Sequence, residues 1–342
     1  MKKLLISLLI AALALTGAGC ANTGSDTSAS AAPAASGGQS DAASSSDKGV
    51  TIRVGDLASY ELIKDADEKG FFKEEFSKDD VTVEIKSFQS GPPELEALTA
   101  KDLDFALMGD QPAVQGVANE IGIQVVSGLL DGTHGNGLIA REDAGISQIA
   151  DLKGKKVGVP VGTTAHQLLI KMLEKNNLKT SDIQLVNLAA GDIVTSLQTG
   201  NIQAAVTFEP SLTKAVAGGG IKKISDAEGY KEIINVIVGR TEFTKEHPDL
   251  AVRFLKVIKK TAEWRDSNFE ESLGILAKRT GVDKEALRAS ASSMPPLLAL
   301  KDSHKQAILE TAQYLKNNNI IRRDLTVEQI FNDEYAVKAG IQ

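Results

Sequence analysis

Four junctions hold the residue types and spacings best suited to chemistry: Ser90-Gly91, Gly109-Asp110-Gln111, Gly162-Thr163-Thr164 and Ala190-Gly191-Asp192. Each follows an apolar run and precedes a helical one. The chemistry they suit is binding. A helix start presents unpaired N–H groups and the positive end of the helix dipole, which favours an anion. Glycine lets a ligand approach the backbone, and a threonine adds a hydroxyl. Ser90, Gly91, Thr163 and Thr164 are therefore candidates to hold an oxyanion, with Gly109 and Asp192 as further ligand-binding candidates at the same kind of junction. Asp110 and Glu209, which follow two of the apolar runs, suit an ammonium or hydroxyl group. Taken singly, each junction reads as a plain N-cap. Two on each half of a repeat, at matching places, favour a shared cleft. No arginine falls in them, so neutral donors and dipoles would do the holding.

Bond-making chemistry has no comparable signature. The chain lacks a GxxxxGK[ST] phosphate loop and a nucleophile elbow. His134, His166, His247 and His304 are far apart in sequence. No metal site, no cofactor and no enzymatic activity are expected.

Cys20 is the only cysteine. Lys2 and Lys3 precede the apolar run from Leu4 to Thr16, and Gly17, Ala18 and Gly19 lead into Cys20. That order is a secretory leader with a small-residue cleavage site. It resembles the lipobox of bacterial lipoproteins, although Gly17 stands where that pattern favours leucine. The resemblance implies acylation of Cys20 and a mature chain tethered by lipid outside the cytoplasmic membrane. The apolar run is too short to span a bilayer permanently.

Residues 20–49 contain no aromatic and no large aliphatic side chain before Val50. Such a segment cannot bury enough apolar surface to offset its ordering entropy, so a disordered leash is expected. As a flexible coil it would reach about 30 Å. The remaining body is large enough for two lobes with their own cores. The formal charge is −7, and −9 once Lys2 and Lys3 are lost. This balance, without a basic stripe, argues against nucleic-acid binding. A monomer is expected.

The elements that must position the junctions read as an α/β repeat. Val50 to Gly55 and Val81 to Phe88 are strand-like. Ser90-Gly91-Pro92-Pro93 reads as a breaker, Glu94 to Ala100 as a helix, and Asp102 to Leu107 as a short buried strand. The unit recurs with Val157 to Pro160 and Ile183 to Leu188. At an offset of 99, Leu98 maps to Leu197, Asp104 to Gln203, Leu107 to Val206 and Asp110 to Glu209. Gly137 to Ala140 and Asn235 to Val238 look like crossover strands. One lobe would comprise 50–137 plus 239–342, the other 141–234. Helices from Pro248 onward would cover the first lobe.

Several stretches resemble one family: EALTAKDLDFALMGDQPAV, ISQIADLKGKKVGVPVGTTAHQLL, VTFEPSL and FTKEHPDL. The body resembles the substrate-binding proteins of bacterial ABC transporters for aliphatic sulfonates, taurine and nitrate, a group that includes thiamine-precursor binders. The resemblance implies a two-lobe type II periplasmic-binding fold, α/β, with two crossover strands at a hinge. It also implies a small anionic solute as ligand and an ABC permease as partner. Thr207 or Phe208 stands where sulfonate binders often carry the tryptophan of Trp-Asp-Pro. Two other functions fit such a body: an enzyme of the same fold, of the pyrimidine-synthesis or menaquinone-pathway type, or a ligand-sensing subunit of a membrane receptor.

Overall fold

A computed structural model describes residues 47–342 except Ser59. The expected leader, Cys20 and most of the expected leash lie outside the described residues. The last residues of that leash do not fit the expectation. Asp47 is buried and its Oδ1 lies 2.7 Å from His247 Nδ1. Gly49 N donates to Asp80 O at 3.1 Å. A short polar segment docks once a charge and a backbone pair hold it.

The elements run β1 (Thr51–Leu57), α1 (Glu61–Glu68), α2 (Phe71–Phe76), β2 (Thr82–Phe88), α3 (Gly91–Thr99), β3 (Phe105–Gly109), α4 (Asp110–Ala118) and β4 (Ile123–Asp131). The chain continues with β5 (Asn136–Arg141), β6 (Lys156–Val159), α5 (Thr164–Lys175), β7 (Gln184–Asn187), α6 (Ala190–Gln198), β8 (Ala204–Phe208), α7 (Ser211–Ala217) and β9 (Ile221–Asp226). After β10 (Ile234–Arg240) it is helical: α8 (Thr241–Glu246), α9 (Pro248–Ser267), α10 (Phe269–Thr280), α11 (Lys284–Ser292), α12 (Asp302–Asn317), α13 (Val327–Ile330) and α14 (Glu334–Lys338).

Two five-stranded mixed sheets result, ordered β2-β1-β3-β10-β4 and β7-β6-β8-β5-β9. The orders are the same plan used twice. β1, β2, β3 and β4 correspond to β6, β7, β8 and β9, and the antiparallel strand of each sheet is β10 or β5. The repeat extends to single hydrogen bonds. In the first sheet Asp104 N donates to Arg53 O (2.8 Å) and Arg53 N donates to Asp104 Oδ2 (2.9 Å). In the second, Gln203 N donates to Lys156 O and Lys156 N to Gln203 Oε1, both at 3.0 Å.

The two apolar runs expected to cross between halves are each the far part of a passage. β5 lies between β8 and β9, and β10 between β3 and β4. The chain passes from one sheet to the other through residues 132–135 and 227–233. Both strands are buried on two faces, which explains their unbroken apolar character.

One local reading is corrected. Gly91-Pro92-Pro93 does not break the chain but forms the first turn of α3, with Ser90 as N-cap. Proline has no N–H to donate, and in a first turn none is required.

The first sheet packs against the C-terminal helices. Phe105 stacks on Phe254 of α9 with centroids 4.4 Å apart, and Leu250, Leu255 and Ile258 share that core. On its other face Met108, Val114 and Val236 meet Ile308 and Leu315 of α12. Leu138, Val157, Leu168 and Val206 centre the core of the second sheet. These faces fix where the ends of β1, β3, β6 and β8 point.

Candidate functional site

The helix starts that follow these strands converge on one cavity. It is lined by Leu57, Tyr60, Gly91, Gly109, Pro112, Gly135, Asn136, Thr163, Thr164, Phe208, Glu209, Asn235 and Met294. The cavity draws on both sheets and, through Gly135, on the first passage. Ligands of open α/β sheets sit beyond the carboxyl ends of the strands, and this cavity does so twice over.

Five of the eight residues proposed from sequence surround it: Gly91, Gly109, Thr163, Thr164 and Glu209. Ser90 is the half-buried N-cap of α3, beside them, and makes no side-chain capping bond. α3 and α5 both begin without a side-chain cap. Thr163 Oγ1 donates to Pro160 O at 2.7 Å, and Thr164 Oγ1 donates to Asn136 Oδ1 at 3.2 Å.

The other two lie elsewhere. Asp192 is exposed and does not line the cavity. Its neighbours Ala190 and Gly191 line a larger outer groove that shares Leu57, Phe208 and Glu209 with the cavity. Asp110 is fully buried and engaged. Its Oδ2 accepts from Lys231 Nζ and from Thr311 Oγ1 (2.8 Å), and its Oδ1 accepts from Gln111 N (2.9 Å). Its charge is already paired by Lys231, and it does not line the cavity.

Glu209 is the acid that lines the cavity. It accepts from Thr213 N at 3.1 Å and Thr213 Oγ1 at 2.9 Å. Burial pushes its carboxyl above the usual range, partly offset by those Thr213 bonds. Among the described residues no lysine or arginine lines the cavity.

Sequence reading missed Tyr60, Asn136 and Asn235. Tyr60 precedes α1, and its hydroxyl donates to Asn235 Oδ1 at 2.8 Å. Burial pushes this phenol well above its ordinary value. A signal for the asparagines was present: the offset of 99 that relates Asp110 to Glu209 also relates Asn136 to Asn235. Tyr60 carried none, since a tyrosine after Ser59 reads as an ordinary core residue.

The two halves touch across the cavity. A Cβ on Gly109 would lie 2.5 Å from Thr164 Cγ2, and one on Gly162 would lie 3.3 Å from Pro92 Cγ. Only glycine at 109 lets β3 and α5 approach so closely.

Comparison with known proteins adds to this geometry. Residues 63–271 match the family model described as NMT1/THI5 like. A protein of Bacillus subtilis (strain 168) named for the binding of aliphatic sulfonates is 29% identical over 292 residues, covering 84% of this chain and 87% of that protein. The taurine-binding periplasmic protein of Escherichia coli (strain K12) is 26% identical over 283 residues, 78% of this chain and 86% of that one. Among solved structures, the alkanesulfonate-binding protein SsuA from Xanthomonas axonopodis pv. citri bound to MOPS superposes with a TM-score of 0.76 at 17% identity. It covers 83% of this chain and 99% of that one. The fold is that of the type II periplasmic binding proteins. No helix among the described residues is long and apolar enough to cross a membrane.

Proposed function

The chain belongs to the NMT1/THI5-like family, and on that premise we propose that it is the extracytoplasmic solute-binding component of an ABC importer. The observation that carries this reading is the convergence of Tyr60, Gly91, Gly109, Thr163 and Thr164, at the starts of helices from both sheets, on a single cavity. Such starts offer N–H groups to an oxyanion without committing a full positive charge. The solute is then held firmly enough to be collected and loosely enough to be handed to a permease. A carboxylate at the same cavity favours a solute with a second, cationic or hydroxyl group. An amino-sulfonate of the taurine type meets both demands better than nitrate does, because nitrate would bring only negative charge to Glu209.

Capture would proceed by closure of two lobes, one built on each sheet, about the passages at 132–135 and 227–233. Acylation of Cys20 would tether the protein at the outer face of the membrane. Fractionation of cells carrying Cys20→Ser tests the tether: the variant should leave the membrane fraction, and equal retention would refute the anchor.

A thermal-shift screen of taurine, alkanesulfonates, nitrate and vitamin precursors tests the binding reading. A solute at a hundred times its dissociation constant should stabilise the protein by about 2.7 kcal/mol. The competing reading, an enzyme on this fold, is separated by the same screen run for turnover. Product formed at catalytic protein levels would replace the binding function.

A further inference from the structure

We propose that His134, Asp226 and Glu228 form a site for a divalent transition-metal cation of the Zn²⁺ class, spanning the two passages between the sheets. One ring nitrogen of His134 and one carboxylate oxygen from each acid lie within 4.8 Å of one another. His134 belongs to the first passage. Asp226 closes β9 and Glu228 lies in the second passage. Three groups from two separate chain segments therefore point at one place.

Backbone bonds hold those segments in register. Ala227 N donates to Thr133 O at 3.3 Å, and Ile233 N donates to Thr133 Oγ1 at 3.2 Å. Glu228 N donates to Asp226 Oδ1 at 3.1 Å, fixing the two acids relative to each other. His134 Nδ1 lies 3.2 Å from Asp226 Oδ2. The donor positions are thus held by the fold and not by a bound ion.

The donor set selects the metal. One imidazole and two carboxylates suit Zn²⁺ and its neighbours, while Ca²⁺ and Mg²⁺ prefer all-oxygen shells. His134 and Asp226 are half-buried and Glu228 is exposed, so water can complete the coordination. The place already attracts positive charge: Lys223 Nζ sits 3.2 Å from Asp226 Oδ2. That ammonium is exposed, and a bound metal would displace it and replace the direct His134–Asp226 contact. The cation would staple the two passages to each other. Gly135 and Asn136 follow His134 directly and line the solute cavity, so the staple would stiffen one wall of it.

The test is calorimetric titration of Zn²⁺ into the untagged, chelator-stripped full chain, with Co²⁺ absorption as a second readout. One site is expected, weakened roughly tenfold or more in His134→Ala and in Glu228→Gln and tightened in Lys223→Met, which removes the competing charge. His247→Ala and His304→Ala should bind as the parent does. Absence of a Zn²⁺ site, an affinity unchanged in His134→Ala or Glu228→Gln, or an affinity not raised in Lys223→Met would each overturn the proposal.

Discussion

Asn136 and Asn235 stand 99 positions apart and do the same work in the two halves. Asn136 opens β5, and its Oδ1 accepts from Thr164, the first residue of the helix after β6. Asn235 lies at the start of β10, and its Oδ1 accepts from Tyr60, which precedes the helix after β1. Each asparagine braces the leading helix of its own sheet against the antiparallel strand. Both asparagines are buried and both line the cavity. The two braces sit where the chain has just passed between sheets, so they tie the helix starts to the passages.

Thr164→Val tests one brace. Valine keeps the shape and removes the hydroxyl, leaving Asn136 Oδ1 without that donor. Where that hydroxyl turns from Asn136 to an anionic solute, its bond is worth about 1.5–3 kcal/mol, so solute affinity should fall roughly tenfold or more. Calorimetry with the best solute from the screen measures it. An unchanged affinity in the folded variant would place the solute elsewhere.

Two glycines at the cavity should fail differently. A Cβ on Gly91 would lie 2.5 Å from Pro112 Cγ, within the first half, whereas one on Gly109 would meet Thr164 across the cavity. Gly91→Val should therefore lower the melting temperature. Gly109→Ala should weaken binding with little thermal cost, because it holds the halves apart. Small-angle scattering with saturating solute should show compaction of the parent and less in Gly109→Ala. Equal compaction of the two would contradict closure across this contact.

Glu209→Gln separates solute classes. Losing the carboxylate should weaken an amino-sulfonate at least several-fold and leave a simple alkanesulfonate nearly unaffected. Affinities measured for both solutes decide it. A parallel loss for the two would mean that Glu209 supports the fold through Thr213 and not through a cation.

Lys231→Met breaks the buried ion pair with Asp110. Removing one partner strands the other charge, at a cost of about 3–5 kcal/mol. Urea melts should show this loss, and adding Asp110→Asn should recover part of it. If the double variant is no more stable than Lys231→Met alone, the stranded carboxylate is not the source of the loss.

Asp65 gives stability a pH dependence of known sign. Burial raises its carboxyl to about 6, partly offset by Ser272 Oγ at 2.5 Å, and Oδ1 has no hydrogen-bond partner. Between about pH 4 and pH 6 the folded protein keeps a proton that the unfolded chain has lost. This contribution is therefore fully present below the unfolded value, and it is lost as pH rises through the folded one. Asp65→Asn should equal the parent near pH 3.5 and exceed it by about 3 kcal/mol at pH 8. Urea melts at the two values check it, and a difference that does not change with pH would contradict it.

The sequence by itself determined the duplicated α/β plan and the places where ligand-facing glycines and hydroxyls could stand. Those features are local. A buried strand shows as an apolar run, a helix start as a small or hydroxyl residue, and a duplication as a fixed offset. The offset even carried Asn136 and Asn235, which act through shared chemistry at shared positions. Only the tertiary structure decided which junctions meet. Asp110 and Glu209 are equivalent in the repeat, yet Lys231 and Thr311 occupy Asp110, while Glu209 stays on the cavity. Asp192 looked as suitable as Thr163, yet α6 begins on the outer groove. The physical reason is that an ion pair or a shared cavity depends on distances between segments far apart in the chain. Those distances are set by how α9 and α12 pack on the first sheet and how the two passages join it to the second.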